Sequence, residues 1–450
     1  MLHLDISEIS LQETDEKAGR TGYDMRQVPP RILMLQGPVG PFFKKLHTYL
    51  TQQDCDVWRI CFNTGDCFFS SAQNKIFFDG SSEEWHQWLT ALLSKRNFDI
   101  IILFGSERPI HKTARLLAKT FGIRVIALEE GYIRPGFITV EEGGNNSCSP
   151  IAQQIPEVVY STFNSRKNVQ DFEGSAYQGL YSAIYYALRG LHKQEHPELR
   201  HRNVTLMKEA FYWLCNGYKR FFRIDTDTRI IQNLLNAWQK KYYIVALQVA
   251  SDCNLKDAAL NWNTQRLITE TIESFARSAP RDTRLVFKIH PRERGRNTYI
   301  KDISKLALKY EIERYVDVID TGSMGLLSKH CAGMITINST SGLSAIFHGV
   351  PLLVIGKSLY SNPSLATCAF GNPDFDTFWS SNWVAPKEVR HSYIAWIKRI
   401  ALKRGDFYAP KGIPVACKTV SENIFKHTVL APPSKQFIRK LTPVFQKNSE

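Results

Sequence analysis

The 450-residue sequence lacks several features that would assign its class directly. Its nine cysteines are scattered and never spaced as Cys-x-x-Cys, which argues against a disulfide framework or a zinc site and indicates a reducing compartment. It has no run of about eighteen apolar residues that could span a membrane, and its first thirty residues lack the pattern of a signal peptide. We therefore expect a cytoplasmic protein whose membrane association is peripheral.

The composition is that of a folded protein with a strong positive charge. Hydrophobic residues make up 43% of the chain, and the formal net charge is +14. Such a charge indicates attraction to polyanions, including phosphorylated substrates and anionic lipid, and does not decide the fold. Nucleic acid is not an expected partner because no nucleic-acid-binding motif is present. The length favours two domains.

Short apolar runs alternate with helical patterns in both halves of the chain. Buried strands are predicted to begin at Arg31, Asp56, Phe98 and Arg124 in the first half, and again from Tyr242 onwards in the second. This alternation predicts an α/β fold with parallel sheets. The expected segments are an irregular tail (1–29), an N-terminal α/β domain (30–164), a helical connection (165–240), a C-terminal α/β domain (241–385) and C-terminal helices with a basic tail (386–450).

The stretch Glu129-Glu-Gly-Tyr-Ile-Arg-Pro135 follows one of these strands. Ligands of open α/β sheets bind beyond the carboxyl ends of the strands, so Glu129 and Glu130 are candidates for general acid or base chemistry. Gly131, Tyr132 and Arg134 are candidates for binding substrate. The residues up to Ser147 are expected to form a long functional loop. Two solvated surface acids would be the simpler explanation of the same residues.

Polar residues follow the other predicted strands as well. In the second half, Asn338-Ser339-Thr340-Ser341 lies at a strand-to-helix junction, where backbone N–H groups and hydroxyls favour an anion. The remaining candidates at strand ends are Gln248, Asp252, Lys288, His290 and Pro291 in the second half, and Gly37, Gly40, Arg108 and His111 in the first. Each has a plain structural alternative, such as a helix cap for Asp252 and a simple turn for the glycines.

Taken together, these strand ends predict two Rossmann-like domains that face each other across a cleft, as in GT-B glycosyltransferases that use nucleotide sugars. One domain would supply carboxylates and the other would supply donors to phosphate. Asp252 is placed where a carboxylate could attack a sugar carbon, and His290 where an imidazole could neutralise a leaving group. No Asp-x-Asp motif is suitably placed at a strand end, so neither a metal ion nor another cofactor is expected.

As an ordered set, the motifs resemble the capsule polysaccharide biosynthesis/modification family of CMP-Kdo-dependent β-Kdo transferases. The matching segments are Leu35–Phe43, Phe62–Asp66, Leu103–Gly105 with Arg108–His111, Glu129–Pro135, Leu247–Gln248 with Asp252, His290–Pro291 and Asn338–Ala345. The resemblance implies that Asp252 is the nucleophile of a retaining reaction and that Glu130 acts as acid/base or binds the acceptor. It also implies that His290, Ser339, Thr340 and Ser341 hold the CMP portion of the donor. At Ser106 and Gly136 the sequence departs from the family pattern, which has Asp.

The implied function is transfer of Kdo from CMP-β-Kdo to a lipid-linked acceptor, lysophosphatidylglycerol or a Kdo-lipid, at the cytoplasmic face of the inner membrane. Expected partners are that membrane surface, a second Kdo transferase and the capsule export machinery. The basic aromatic stretch 211–223 could contact anionic lipid or could simply pack as ordinary helix. Two other functions remain open, a nucleotide-sugar epimerase or hydrolase of similar fold, and a non-catalytic protein of capsule export or assembly.

Overall fold

The computed structural model describes residues 29–71, 73–157, 160, 171–190, 223–249, 253–290, 293 and 299–426. Two of the predicted site residues, Asp252 and Pro291, lie outside these ranges, as does nearly all of the basic aromatic stretch 211–223 and of the predicted tail. Within the described part of the chain, no helix is long and apolar enough to cross a bilayer.

The first sheet has seven strands in the order β13-β6-β5-β4-β1-β2-β3. Their bounds are β1 Arg31–Met34, β2 Asp56–Cys61, β3 Lys75–Phe77, β4 Ile100–Phe104, β5 Arg124–Glu130, β6 Phe137–Glu142 and β13 Leu402–Arg404. The first five strands in chain order are parallel, whereas β6 runs antiparallel to β5 and β13 runs antiparallel to β6. The central strand β4 is buried along its whole length, as a strand covered on both faces should be.

Four helices connect the parallel strands of this sheet: α1 Phe42–Thr51, α2 Thr64–Phe68, α3 Ser82–Lys95 and α4 Pro109–Phe121. The sequence explains where α3 and α4 begin and end. Ser81 and Glu84 form a capping box at the start of α3. Helix α4 begins with Pro109 and ends at Gly122, whose positive φ of 67° suits a residue without a side chain. Trp85 of α3 is buried and donates to the Ile110 carbonyl, which joins the two helices.

The second sheet has six parallel strands in the order β12-β11-β10-β7-β8-β9. They are β7 Tyr242–Ala246, β8 Arg284–Lys288, β9 Val316–Ile319, β10 Gly333–Thr336, β11 Leu352–Val354 and β12 Thr367–Cys368. The helices of this half are α7 Thr264–Ser278, α8 Tyr299–Lys309, α9 Met324–His330, α10 Gly342–His348, α11 Phe375–Phe378 and α12 Lys387–Ile400. The structure thus confirms the predicted α/β class with two parallel-sheet domains.

The helices between the two sheets divide between the domains. Helix α5, Gly174–Gly190, packs on the first domain, where Tyr185 belongs to the apolar core. The helix at residues 223–236, α6, places Leu234 in the core of the second domain. The chain then returns to the first domain after α12, because β13 joins the edge of the first sheet and α13, Gly412–Lys426, packs against α1.

Two predictions around the acidic stretch are wrong. Strand β5 does not end at Leu128 but continues through Glu130, which pairs with Ile138 of β6. The stretch that follows is therefore not one long loop, because β6 folds back as an antiparallel strand. Residues 138–141 of β6 are all buried, so other parts of the protein pack on both faces of this strand. Gly131 allows the reversal, since a Cβ there would collide with the Phe137 carbonyl.

Candidate functional site

Glu130 is held in one orientation by three partners at the end of β5. Its carboxylate forms an ion pair with Arg134 Nη1 at 2.7 Å and accepts a hydrogen bond from Gln178 Nε2 at 2.8 Å. The hydroxyl of Tyr408 donates to the same carboxylate at 3.1 Å. Only 17% of the Glu130 side chain is exposed. The partners come from three separate parts of the chain, so this arrangement requires the complete first domain.

Glu129 and Arg108 lie together at the neighbouring strand end. A Cβ placed on Gly105 would be 3.3 Å from Glu129 Oε2 and 3.5 Å from Arg108 Nε, so both side chains border the turn after β4. Arg108 also donates to Gln36 Oε1 at 3.2 Å, and Gln36 Nε2 donates to Asp66 at 3.1 Å. Burial raises the pKa of Asp66, although hydrogen-bond donors surround it. The structure therefore brings the predicted site residues Glu129 and Arg108 together. Gln36 and Asp66 form a buried polar cluster that holds Arg108.

His111 is a buried residue of α4. Its Nδ1 lies 2.8 Å from the Gly105 carbonyl, so the ring holds the turn after β4 in place. Burial, with the charge of Arg108 as a second cause, lowers the pKa of His111 to about 3. The imidazole is therefore neutral at physiological pH. Its Nε2 is buried without a hydrogen-bond partner among the described residues.

The predicted glycines and Tyr132 lie against the protein interior. A Cβ on Gly37 would be 2.6 Å from the Phe43 ring, and one on Gly40 would be 2.6 Å from the Tyr181 ring. Tyr132 is 5% exposed, and its hydroxyl donates to Glu141 at 2.5 Å. The close neighbours of these three residues are thus protein side chains.

The two positions that depart from the resembled family have local explanations. Ser106 is fully buried, and its hydroxyl donates to Asn145 Oδ1 at 2.6 Å, which ties the turn after β4 to the residues that follow β6. Asn145 Nδ2 also donates to the Leu128 carbonyl at 3.2 Å. Gly136 has a φ of 79°, a conformation that favours glycine.

In the second domain, Gln248 and Asn338 bind each other across the ends of β7 and β10. Gln248 Nε2 donates to Asn338 Oδ1 at 2.9 Å, and the Asn338 amide N–H donates to Gln248 Oε1 at 3.2 Å. Ser339 accepts from the Ser341 amide at 3.2 Å, and the Tyr360 hydroxyl donates to the Ser339 carbonyl. The structure therefore places four of the eight predicted donor-binding residues in the loop between β10 and α10 and ties a fifth, Gln248, to that loop.

Lys288 and His290 lie at the end of the adjacent strand. β8 pairs with β7 so that Lys288 is opposite Ala246, two residues before Gln248. Lys288 is buried, whereas His290 is exposed. Both residues thus lie at the carboxyl ends of the parallel strands, on the same side of the sheet as Gln248 and Asn338.

A small pocket lies between the two domains. The first domain contributes Asn146 and Ser147, and the second contributes Asn338, Thr340, Leu343 and residues 357–360. Its lining includes Lys357 and residues with amide and hydroxyl side chains, whose donors suit an anionic group. Sequence reasoning identified Asn338 and Thr340 and missed the others. Lys357 could have been found, because it directly follows residues 350–356, one of the apolar runs that predict a buried strand in the second half.

Chain segments cross between the domains beside this pocket. The Gln153 amide donates to the Leu359 carbonyl at 2.8 Å, and Asn362 Nδ2 donates to the Gln153 carbonyl at 2.7 Å. Lys112 of α4 forms an ion pair with Asp257, which follows β7. The described residues contain no group of three or more His, Cys, Asp or Glu side chains suited to a metal ion.

Two mainly parallel α/β sheets with a polar pocket between them give this chain a GT-B-like fold. The chain belongs to the family described as capsule polysaccharide biosynthesis protein, which matches residues 99–408.

Relatives with capsule-related names cover most of the chain. The capsule polysaccharide export protein KpsS of Escherichia coli is 33% identical over 338 residues, which are 73% of this chain and 85% of KpsS. The capsule polysaccharide modification protein LipB of Neisseria meningitidis serogroup B is 27% identical over 394 residues, which are 85% of this chain and 93% of LipB.

Solved structures with similar folds are more distant in sequence. KpsC of Thermosulfurimonas dismutans, a beta Kdo 2,7 transferase, is 12% identical, with 81% of this chain and 90% of KpsC covered and a TM-score of 0.35. Staphylococcus aureus MnaA, solved with UDP, is 11% identical, with 89% of this chain and 98% of MnaA covered and a TM-score of 0.34. No residue role follows from these two comparisons.

Proposed function

We propose that the protein is a retaining glycosyltransferase that transfers Kdo from CMP-β-Kdo to a lipid-linked acceptor in the synthesis of the capsular polysaccharide linker. The observation that carries this proposal is the pocket between the domains, which combines Lys357 with amide and hydroxyl groups. Asn145, the neighbour of pocket-lining Asn146, is hydrogen-bonded to β5, the strand that carries Glu130. Membership of the capsule polysaccharide biosynthesis family supports the biological setting.

The second domain would hold the donor. CMP-Kdo carries one phosphate and the sugar carboxylate, so its binding site needs several hydrogen-bond donors and positive charge. Asn338, Thr340 and Lys357 line the pocket and would meet these anions. His290, which is exposed just beyond the carboxyl end of β8, would assist departure of the phosphate. In this proposal the protein's own side chains neutralise the phosphate, without a metal ion.

The reaction would proceed in two steps. First, an Asp252 carboxylate oxygen would form a bond to the anomeric carbon of Kdo while the bond to CMP breaks, and CMP would leave with both electrons. Second, Glu130 would remove the proton of an acceptor hydroxyl, whose oxygen would displace Asp252 from the same carbon. Two inversions at one carbon give net retention, so a β donor yields a β product.

The acceptor would be lysophosphatidylglycerol or a Kdo-lipid at the cytoplasmic face of the inner membrane. The net charge of +14 would favour peripheral binding to that anionic surface. A second Kdo transferase and the capsule export machinery are the partners that such a position implies.

A second candidate is a non-catalytic role in capsule export, which is favoured by the name of the relative KpsS, a capsule polysaccharide export protein. Incubating the purified protein with CMP-β-Kdo and a synthetic lysophosphatidylglycerol, followed by mass spectrometry, separates the two. An acceptor heavier by one or more Kdo residues would support the transferase. CMP release without acceptor modification would indicate a hydrolase. Absence of any turnover, with a Kdo-lipid acceptor also unreacted, would contradict the proposal and favour the export role.

A further inference from the structure

We infer that Glu141 is a positioning residue of the pocket and that it acts by fixing residues 145–153, which we name the interdomain bridge. The bridge forms the first-domain wall of the pocket and then contacts the second domain. The kinetic consequence of this inference rests on the proposed transferase function, whereas its structural consequence does not.

One buried carboxylate ties down both ends of the turn that lines the pocket. Glu141 is 4% exposed, and its two oxygens accept from Tyr132 Oη at 2.5 Å and Ser149 Oγ at 2.5 Å. The Tyr132 hydroxyl in turn accepts from the Asn146 amide at 2.6 Å. Asn146 itself lines the pocket. The position of this wall therefore depends on Glu141 in two ways. Glu141 binds Ser149 directly, and it holds Asn146 through the Tyr132 hydroxyl.

The other end of the bridge is fixed to the second domain. The Leu359 carbonyl, also at the pocket, accepts from the Gln153 amide at 2.8 Å and from Tyr393 Oη at 3.0 Å. Ile151 belongs to the apolar core of the second domain. A shift of the bridge would therefore change the spacing between the two walls of the pocket.

Glu141 needs its negative charge to accept both hydroxyls at once. Burial raises the pKa of Glu141 to about 7, against the smaller opposing effects of the Ser149 and Tyr132 hydroxyls and of Lys403 on β13. The other ionisable groups around it are Tyr393 on α12, whose pKa Glu141 helps to raise, and Glu129 on β5, which acts on Tyr132. When the pH falls through about 7, Glu141 binds a proton and becomes a donor. One of its two hydroxyl partners must then reverse its hydrogen bond and accept from Glu141 while it also accepts from a backbone amide, Asn146 for Tyr132 or Ile151 for Ser149, which weakens the attachment of the bridge.

The kinetic test is the pH profile of Kdo transfer for the wild type and for Glu141→Gln. In the wild type, kcat/KM for CMP-Kdo should fall as the pH drops from roughly 8 to roughly 6, whereas the variant should be about tenfold less active and lack this limb. Glu142→Gln is the matched control, because Glu142 is the next residue and is exposed. Ser149→Ala leaves Glu141 unaltered but removes the hydrogen bonds of the Ser149 hydroxyl with Glu141 and with the Ile151 amide, and it should reproduce part of the loss.

Hydrogen exchange tests the same inference without relying on catalysis. At one pH near 8, backbone amides of residues 145–153 should exchange faster in Glu141→Gln and Ser149→Ala than in the wild type or Glu142→Gln. Unchanged exchange in both variants would overturn the inference, whether or not the protein transfers Kdo. An active wild type with the same pH limb in Glu141→Gln would overturn it as well. A wild type without transferase activity but with the expected exchange would contradict only the proposed function.

Discussion

Gln248 and Asn338 hold each other through two reciprocal hydrogen bonds, of 2.9 and 3.2 Å, across the ends of β7 and β10. Both side chains are nearly buried, at 8% and 9% exposure, so water cannot readily replace these hydrogen bonds if one partner is removed. The pair fixes the start of the loop that lines the second-domain side of the pocket.

Replacing Gln248 by Leu should therefore reduce both stability and donor binding. The variant removes two hydrogen bonds from the buried Asn338, which costs about 1–3 kcal/mol of unfolding free energy. Urea unfolding would measure the loss, and calorimetry with CMP would measure binding. Gln265→Leu is the control, because Gln265 is exposed on α7. Equal stability of the two variants would contradict the importance of the pair.

Glu130→Gln should reduce Kdo transfer and leave CMP binding nearly intact. The amide keeps the size of the side chain but cannot remove a proton from the acceptor, and loss of a general base lowers kcat by roughly 10²–10⁴-fold. Initial rates by mass spectrometry and CMP titration would separate the two effects. Glu142→Gln on the neighbouring strand should behave as the wild type. A Glu130→Gln enzyme with normal kcat would exclude the proposed role.

Asp252→Asn should abolish formation of the covalent intermediate. The neutral amide is a poor nucleophile, so CMP should still bind while no Kdo becomes attached to the protein or to the acceptor. Intact-protein mass spectrometry after brief exposure to CMP-β-Kdo would show an adduct in the wild type alone. Near-normal turnover in the variant would contradict the nucleophile assignment.

Lys357→Ala should weaken CMP binding on the order of tenfold, because it removes a charged donor from the pocket. The effect should decrease with added salt, since Lys357 is exposed and its charge is screened. Lys387→Ala, at the exposed start of α12, provides the control. Equal CMP affinity of the two variants would remove Lys357 from the donor site.

His111 should make the protein less stable at acidic pH. Its folded pKa of about 3 lies below the usual value of 6.5, so between these values the unfolded chain binds a proton that the native protein does not. Stability should therefore fall as the pH decreases through this window, by at most about 1.4 kcal/mol per pH unit from this residue. His111→Asn retains a donor for the Gly105 carbonyl and should lose less stability between pH 7 and pH 5 (roughly the upper part of this window). Urea unfolding at both values would measure it, and an unchanged loss would contradict the burial argument.

The sequence predicted most of the parallel strands, because most are runs of apolar residues followed by a polar turn. Strand β4 illustrates this, since all five of its residues are buried. The short strands β3, β12 and β13 were missed, because none of them lies in a longer run of apolar residues. Strand β6 was missed because the glycines on both sides suggested a loop.

The candidate site was predicted in part. Asn338, Thr340 and Glu130 were identified because polar residues that follow predicted parallel strands are expected to lie where ligands bind. Their positions follow from the order of elements along the chain. The partners of Glu130 could not be predicted, since Gln178 and Tyr408 reach it only through packing of distant segments. Glu141 could not be recognised either, because an acidic residue in a polar stretch shows no sign of being buried.

The return of β13 and α13 to the first sheet has a consequence during synthesis. While the ribosome is still translating the second half, β6 has no neighbour on its outer side and α1 lacks the helix that covers it. The second sheet draws its strands from one uninterrupted stretch, so it can assemble earlier. The first sheet must therefore wait, with an open edge, until residues 402–426 have been synthesised.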